Sequence, residues 1–169
     1  LWEKLNLELK KGKINKLGLS LKSSLMQNNK INQVIKMKDY GISVLQVLYN
    51  PLFNEAEDKI FPFVKKNNIE LITRAPFAKG LISNLDSQSI KKAKENPNKS
   101  LKLSNNDIIK KFENTIGNKI KNIKNINSEI LSWILKKEVI SAVIFGSTSL
   151  SQLSENLEFQ KKIKNYNNL

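Results

Sequence analysis

Residues 146–149 (Gly-Ser-Thr-Ser) have the composition of an anion-binding turn. They follow an apolar run, Val139 to Phe145, and precede a helical pattern that begins at Leu150. Small residues let backbone N–H groups approach a phosphate, and the positive end of the helix dipole favours negative charge. Gly and Ser at such a turn also act as simple helix caps, so a binding role and a capping role both stay open.

Other chemistries are excluded by residues that the sequence lacks. It contains no His and no Cys. A Ser-His-Asp triad, a catalytic thiol, a zinc hydrolase site or a two-His iron site within this chain is therefore ruled out. The acidic group Glu55, Glu57 and Asp58 is interpreted as the first turn of a helix, so we expect no metal.

The basic charge of the chain has no special partner on this evidence. The net charge is +14, and Arg74 is the single Arg among 29 basic residues. Recognition of bases and bidentate binding of phosphates favour Arg, and the Lys residues run through the whole chain. We interpret them as a solvated surface and keep a nucleic-acid-binding module only as a third alternative. No apolar run is long enough for a membrane span, and the N-terminus has no signal-peptide pattern, so a cytoplasmic protein is expected.

Short apolar strands alternate with helical patterns along the chain. Strands are predicted at 16–21, 42–49, 69–76 and 142–146, and helices at 1–11, 32–38, 55–68, 105–116, 128–136 and 150–160. Residues 77–103 are expected to form a loop and 161–169 a frayed tail, and Pro62 is expected to kink or shorten its helix. This alternation predicts an α/β fold with a parallel sheet, whose functional residues lie at the carboxyl ends of the strands.

Four segments at predicted strand ends resemble, in order, the second half of the aldo-keto reductases. They are 12–20, 45–52, 72–81 and 143–148 with 152–157, and residues 128–135 resemble the helix before the last strand of that family. The resemblance implies a (β/α)8 TIM barrel, of which this chain is the C-terminal half, strands five to eight. Residues 1–169 would then form one partial domain, because a complete barrel needs about 250 residues. A first residue that is Leu1, without Met, fits a part of something longer.

The resemblance also implies a site for a nicotinamide cofactor. Ser20 and Gln46 match the residues that hold the nicotinamide carboxamide, and Leu21 stands where the family has Asn. Arg74 matches the residue that packs against the nicotinamide ring, a place where a planar guanidinium can stack. The pyrophosphate would lie near Phe77, Lys79 and Gly80. The adenosine phosphate would be held by Gly146, Ser147, Thr148, Gln152, Glu155 and Asn156.

By the same resemblance, the activity is hydride transfer from NADPH to a small aldehyde or ketone. Members that select the 2′-phosphate usually carry Lys or Arg where this sequence has Gly146 and Gln152, so NADP(H) is expected first and NAD(H) stays open. The family's catalytic Asp, Tyr, Lys and His come from strands two to four and have no counterpart here. An N-terminal half-barrel, covalently attached or from another chain, would have to supply them. The alternative is a non-catalytic fragment or regulatory relative that binds nucleotide without turnover.

Overall fold

The computed structural model describes residues 1–22, 34, 36–83, 104–116 and 126–166. The helices and strands, in chain order, are α1 (Trp2–Lys10), β1 (Leu17–Ser20), β2 (Ile42–Leu48), α2 (Ala56–Asn67), β3 (Glu70–Arg74), α3 (Asn105–Ile116), α4 (Ile126–Leu135), β4 (Ile140–Ile144) and α5 (Leu150–Tyr166). Short 3₁₀ turns occupy Lys36–Tyr40 and Ala78–Gly80. Within these ranges no helix has the length and apolar character needed to cross a membrane.

The four strands form one parallel sheet in the order β1-β2-β3-β4. The strand order follows the chain and never reverses, unlike that of a doubly wound sheet. Successive right-handed crossovers in one direction place the connecting helices on one face of the sheet. This is the arrangement of a sector of a (β/α)8 barrel, and it confirms the predicted parallel α/β class. Which part of a barrel the sector represents is not decided by the topology.

The two faces of the sheet differ in burial. On the face covered by helices, Leu45, Val47 and Leu71 are fully buried. The side chains that alternate with them are only half-buried or exposed, and Ile144 on this second face is 48% exposed. In a closed barrel the second face is the packed interior. The described sheet therefore leaves uncovered the face that a barrel would fill.

Helix α2 runs through Pro62, so the prediction that this residue shortens the helix is wrong. Its buried residues, Ala56, Ile60 and Val64, lie on one stripe that faces the core. Pro62 is exposed, and the carbonyl that loses its hydrogen bond belongs to exposed Asp58. Water can satisfy that carbonyl, which lowers the cost of an interior proline.

Three element ends also differ from the predictions. Strand β4 begins at Ile140, which pairs with Leu71 and is buried, so Phe145 and Gly146 fall in the following loop. Helix α5 continues to Tyr166, because residues 161–166 contain no Gly or Pro that would end it; the predicted tail is thus helical up to that residue. Of the predicted helix at 32–38, residues 32, 33 and 35 lie outside the described residues, and the turn at Lys36–Tyr40 is 3₁₀.

A cluster of aromatic and charged side chains joins the end of β2 to two helices. The Tyr49 hydroxyl donates a hydrogen bond to Glu57 of α2. Lys137 forms an ion pair with the same carboxylate at 3.0 Å. The Tyr49 ring stacks on Trp133 of α4, with 5.1 Å between centroids, and packs at an angle against Phe61. Tyr49 is fully buried, so this cluster fixes β2 relative to α2 and α4.

Replacing Tyr49 with Phe is expected to lower the free energy of unfolding at neutral pH by about 2 kcal/mol, because a hydrogen bond to a carboxylate is lost. Burial, and then the neighbouring Glu57, raise the pKa of the Tyr49 hydroxyl above its ordinary value of 10.0. The folded protein keeps this proton while the unfolded chain releases it. Wild-type stability should therefore fall as the pH rises above about 10.

Chemical denaturation of wild type and Tyr49→Phe from about pH 7 to about pH 11 checks both statements. The stability difference between the two proteins should shrink above pH 10, since the ordinary Tyr pKa is 10.0. Tyr40→Phe is the matched control, because Tyr40 is 48% exposed. A stability difference that stays constant with pH would contradict the role given to Tyr49.

Candidate functional site

Side chains and backbone groups tie together the carboxyl ends of β1, β2 and β3. The Ser20 hydroxyl donates to Gln46 Oε1 at 3.0 Å, and the Leu21 N–H donates to the Gln46 carbonyl at 2.8 Å. Arg74 reaches across β2 and donates from Nη2 to the Leu21 carbonyl at 3.3 Å. The structure thus brings Ser20, Gln46 and Arg74 together at one edge of the sheet.

A groove of about 780 Å³ lies beside these residues. It runs between the β3 loop (75–83) and the β4 loop (145–149), and the starts of α4 and α5 complete its walls. Its described lining residues are Arg74, Ala75, Pro76, Phe77, Lys79, Gly80, Ser83, Asn127, Ile144, Phe145, Gly146, Ser147, Thr148, Gln152 and Asn156. The volume is in the range of small-molecule and cofactor sites. Every residue predicted for the site from these two loops and α5 lines the groove, except Glu155.

The charge of the groove suits an anion. Among its described lining residues, Arg74 and Lys79 carry positive charge and no residue carries a carboxylate. Arg74 also takes part in the contacts with Leu21, so the groove continues into the Ser20–Gln46 pair. No group of three or more His, Cys, Asp or Glu residues that could hold a metal ion occurs in the described part of the chain.

The β3 loop has an unusual backbone. Ala75, Ala78 and Lys79 have positive φ angles of 54°, 47° and 58°. Such angles in residues other than Gly cost of order 1–3 kcal/mol each, and they persist only where surrounding contacts enforce them. The Ala78 N–H donates to the Ala75 carbonyl at 3.0 Å, and the Gly80 N–H donates to the Phe77 carbonyl at 2.8 Å. These bonds curl the loop so that it forms one wall of the groove.

Asn50 holds the β3 loop from the neighbouring strand end. Its side chain is fully buried and donates from Nδ2 to the Ala75 carbonyl at 2.9 Å. Its Oδ1 accepts the N–H groups of Leu52 and Phe53 at 2.9 and 3.1 Å. The sequence reasoning treated Asn50 only as the end of a strand and missed this role. The available signal was an Asn between a strand and a Pro, a position that favours turns closed by the side chain.

The β4 loop contains the predicted helix cap. The Gln152 N–H donates to Ser149 Oγ at 3.3 Å, and Gln152 Oε1 accepts the Thr148 N–H and hydroxyl at 3.0 Å each. This pattern resembles a capping box at the start of α5. Glu155 is exposed and accepts a hydrogen bond from Ser151 at 3.3 Å outside the groove, whereas Asn156 is 5% exposed and lines it.

No contact within the described chain requires glycine at position 146. A Cβ atom built there meets no heavy atom within 4 Å, and the φ angle of Gly146 is not positive. The residue nevertheless lines the groove beside Ser147 and Thr148. The space that a Cβ would fill is therefore available to an atom from outside the chain.

Comparison with known proteins gives two findings. Residues 1–166 match the sequence model of the Aldo/keto reductase family. A 100-residue stretch is 34% identical to the Saccharomyces cerevisiae protein named "Putative aryl-alcohol dehydrogenase AAD16". The match covers 54% of this chain and 28% of that relative, so the chain spans less than a third of the length of the relative.

We expect Asn50→Ala to lower the free energy of unfolding by about 3 kcal/mol, because it leaves buried backbone groups without hydrogen-bond partners. Asn106→Ala is the matched control: Asn106 is exposed on α3, and its replacement should change stability by less than about 0.5 kcal/mol. Urea denaturation of the two variants and wild type measures both effects. Equal stability losses in the two variants would show that Asn50 does not hold the loop.

Proposed function

The chain belongs to the aldo/keto reductase family, and we propose that it is the cofactor-holding part of an NAD(P)H-dependent oxidoreductase that reduces an aldehyde or ketone. One observation carries the proposal: residues expected to hold the dinucleotide come from distant segments and line one cationic groove. When bound, the nicotinamide supplies a hydride to the carbonyl carbon. The groove fits an anionic dinucleotide in volume and charge, and Gly146 leaves room for close approach of a ligand.

We assign the nicotinamide end to the tied strand ends. Ser20 and Gln46 offer hydroxyl and amide groups that can pair with the nicotinamide carboxamide, in place of part of their bond to each other. Arg74 offers a flat guanidinium beside the ring, held in position by its bond to the Leu21 carbonyl. Leu21 brings no side-chain polar group to this end.

The pyrophosphate is assigned to the β3 loop and the adenosine to the β4 loop. Both described cations of the groove, Arg74 and Lys79, lie on the β3 side. Gly146, Ser147 and Thr148 precede α5, whose N-terminal dipole favours a phosphate. NADP(H) is proposed first, and NAD(H) is the second candidate because Gly146 and Gln152 stand where a cation would select the 2′-phosphate.

We further propose that this chain corresponds to the C-terminal half of the barrel. Four strands cannot close a barrel, and the face with Val44, Ile72 and Ile144 is only partly buried. A second set of four βα units would cover this face and supply the proton donor. Sequencing the gene upstream of Leu1 is expected to reveal such units with Asp, Tyr, Lys and His. A start codon at Leu1 with no companion half would contradict the enzyme proposal.

A nucleotide-binding protein without turnover is the second candidate. The chain has no His, and the Tyr49 hydroxyl is engaged by Glu57, with burial and that carboxylate raising its pKa. Tyr49 is therefore unsuited to donate a proton at the groove. Carbonyl reduction by the full-length protein would exclude this candidate.

Arg74→Ala and Gln46→Ala are each expected to weaken NADPH binding by about tenfold, because each removes a contact worth about 1.4 kcal/mol. Titration of NADPH fluorescence with the full-length protein measures the affinity. Lys66→Ala is the control, since Lys66 is exposed near the end of α2 and should leave affinity unchanged. Unchanged affinity in both site variants would overturn the assignment of the nicotinamide end.

Gly146→Ala should separate binding from stability. We expect the same or a slightly higher thermal stability, because the added methyl meets no atom of the described chain and restricts the unfolded state. We expect NADPH affinity to fall by about tenfold, because the methyl takes space assigned to the ligand. Thermal denaturation and fluorescence titration of the same sample measure both. A loss of stability with full affinity would show that Gly146 serves packing instead of binding.

A further inference from the structure

One wall of the groove contains a buried polar atom without a partner. Asn127 Oδ1 is shielded from solvent and accepts no hydrogen bond from the described residues. Asn127 is the second residue of α4 and lines the groove. A buried acceptor left unpaired is costly and rare in folded proteins. A structure that retains one at a ligand groove has an acceptor ready for a donor from outside the chain.

The surroundings of Asn127 indicate which part of a ligand would meet it. The same groove is lined by Gly146 and Thr148 of the β4 loop and by Gln152 and Asn156 of α5. No side chain in that group carries a charge, whereas the described cations lie on the β3 side. Under the proposed function, the uncharged end of the groove holds the adenosine. The donor would then belong to a base.

We propose that Asn127 selects adenine over 6-oxopurines by accepting a hydrogen bond from the exocyclic amino group at C6. A carboxamide pairs with adenine in two places at once: its oxygen accepts from the 6-amino group and its nitrogen donates to N7. Guanine and hypoxanthine present an oxygen at C6, which would face Asn127 Oδ1 as a second acceptor. This inference rests on the proposed function and adds the base that the groove prefers.

Asn127 lies outside the set of residues expected from the sequence. It precedes the segment 128–135 that resembles the helix before the last strand, and a single Asn at the start of a helix is ordinarily a cap. Its Oδ1 makes no capping bond within the described residues. The atom that a cap would use is thus left for a ligand.

The test compares two dinucleotides on the full-length protein. The probes are NADPH and its analogue with hypoxanthine in place of adenine, measured by fluorescence titration. Wild type is expected to bind NADPH about tenfold more tightly than the analogue, the effect of one hydrogen bond between a ligand and a buried acceptor. Asn127→Ala should lose this preference by weakening NADPH binding and leaving the analogue nearly unchanged. Asn106→Ala, an exposed replacement on α3, should keep the wild-type preference.

Thermal stability of Asn127→Leu supplies a second readout. Removing an unpaired buried acceptor should leave the melting temperature of the ligand-free protein the same or higher, while the preference for adenine is lost. A lower melting temperature would mean that Asn127 serves the fold instead.

Each further outcome bears on one proposal. A preference for adenine that survives in Asn127→Ala, or tighter binding of the hypoxanthine analogue by wild type, would overturn this inference alone. Failure of wild type to bind either dinucleotide would overturn the proposed function as well.

Discussion

Every contact in the candidate site depends on the parallel register of the four strands. The register pairs Ser20 with Gln46, and it pairs Arg74 with Leu48 on one side and Ile144 on the other. Because side chains alternate between the faces of a sheet, a shift of one residue would turn a strand's polar residues towards the helices. Fully buried Leu45 and Leu71 occupy the helix-covered face and prevent that shift. Core packing on one face thus positions chemistry on the other.

The loops depend on the same register through a single side chain. Asn50 follows β2 and reaches the Ala75 carbonyl, which directly follows β3. This bond forms only if both strands end at the same level of the sheet. It supports a backbone in which Ala75, Ala78 and Lys79 have positive φ angles. The shape of the groove is therefore stabilised by a fully buried polar residue that lies outside the groove's described lining.

The sequence was informative where a signal repeats along the chain. Apolar runs predicted all four strands to within a few residues, and the rule that parallel strands present their carboxyl ends together predicted that Ser20 and Gln46 would meet. Helix α2 was placed correctly, but its passage through Pro62 depends on which side of the helix faces solvent. Asn50 and Asn127 were missed because each acts as a single polar residue whose partners or surroundings come from distant segments. No local pattern reports such an arrangement.

The uncovered face of the sheet also affects how copies of this chain behave in solution. Within the described residues, β1 and β4 each have one edge without a neighbouring strand, and such edges pair readily with other chains. The net charge of +14 opposes this by repulsion between copies. The repulsion is screened over about 10 Å at 0.1 M salt and over a shorter distance at higher salt. The colloidal stability of the chain by itself therefore depends on ionic strength, and added salt favours association between sheet edges.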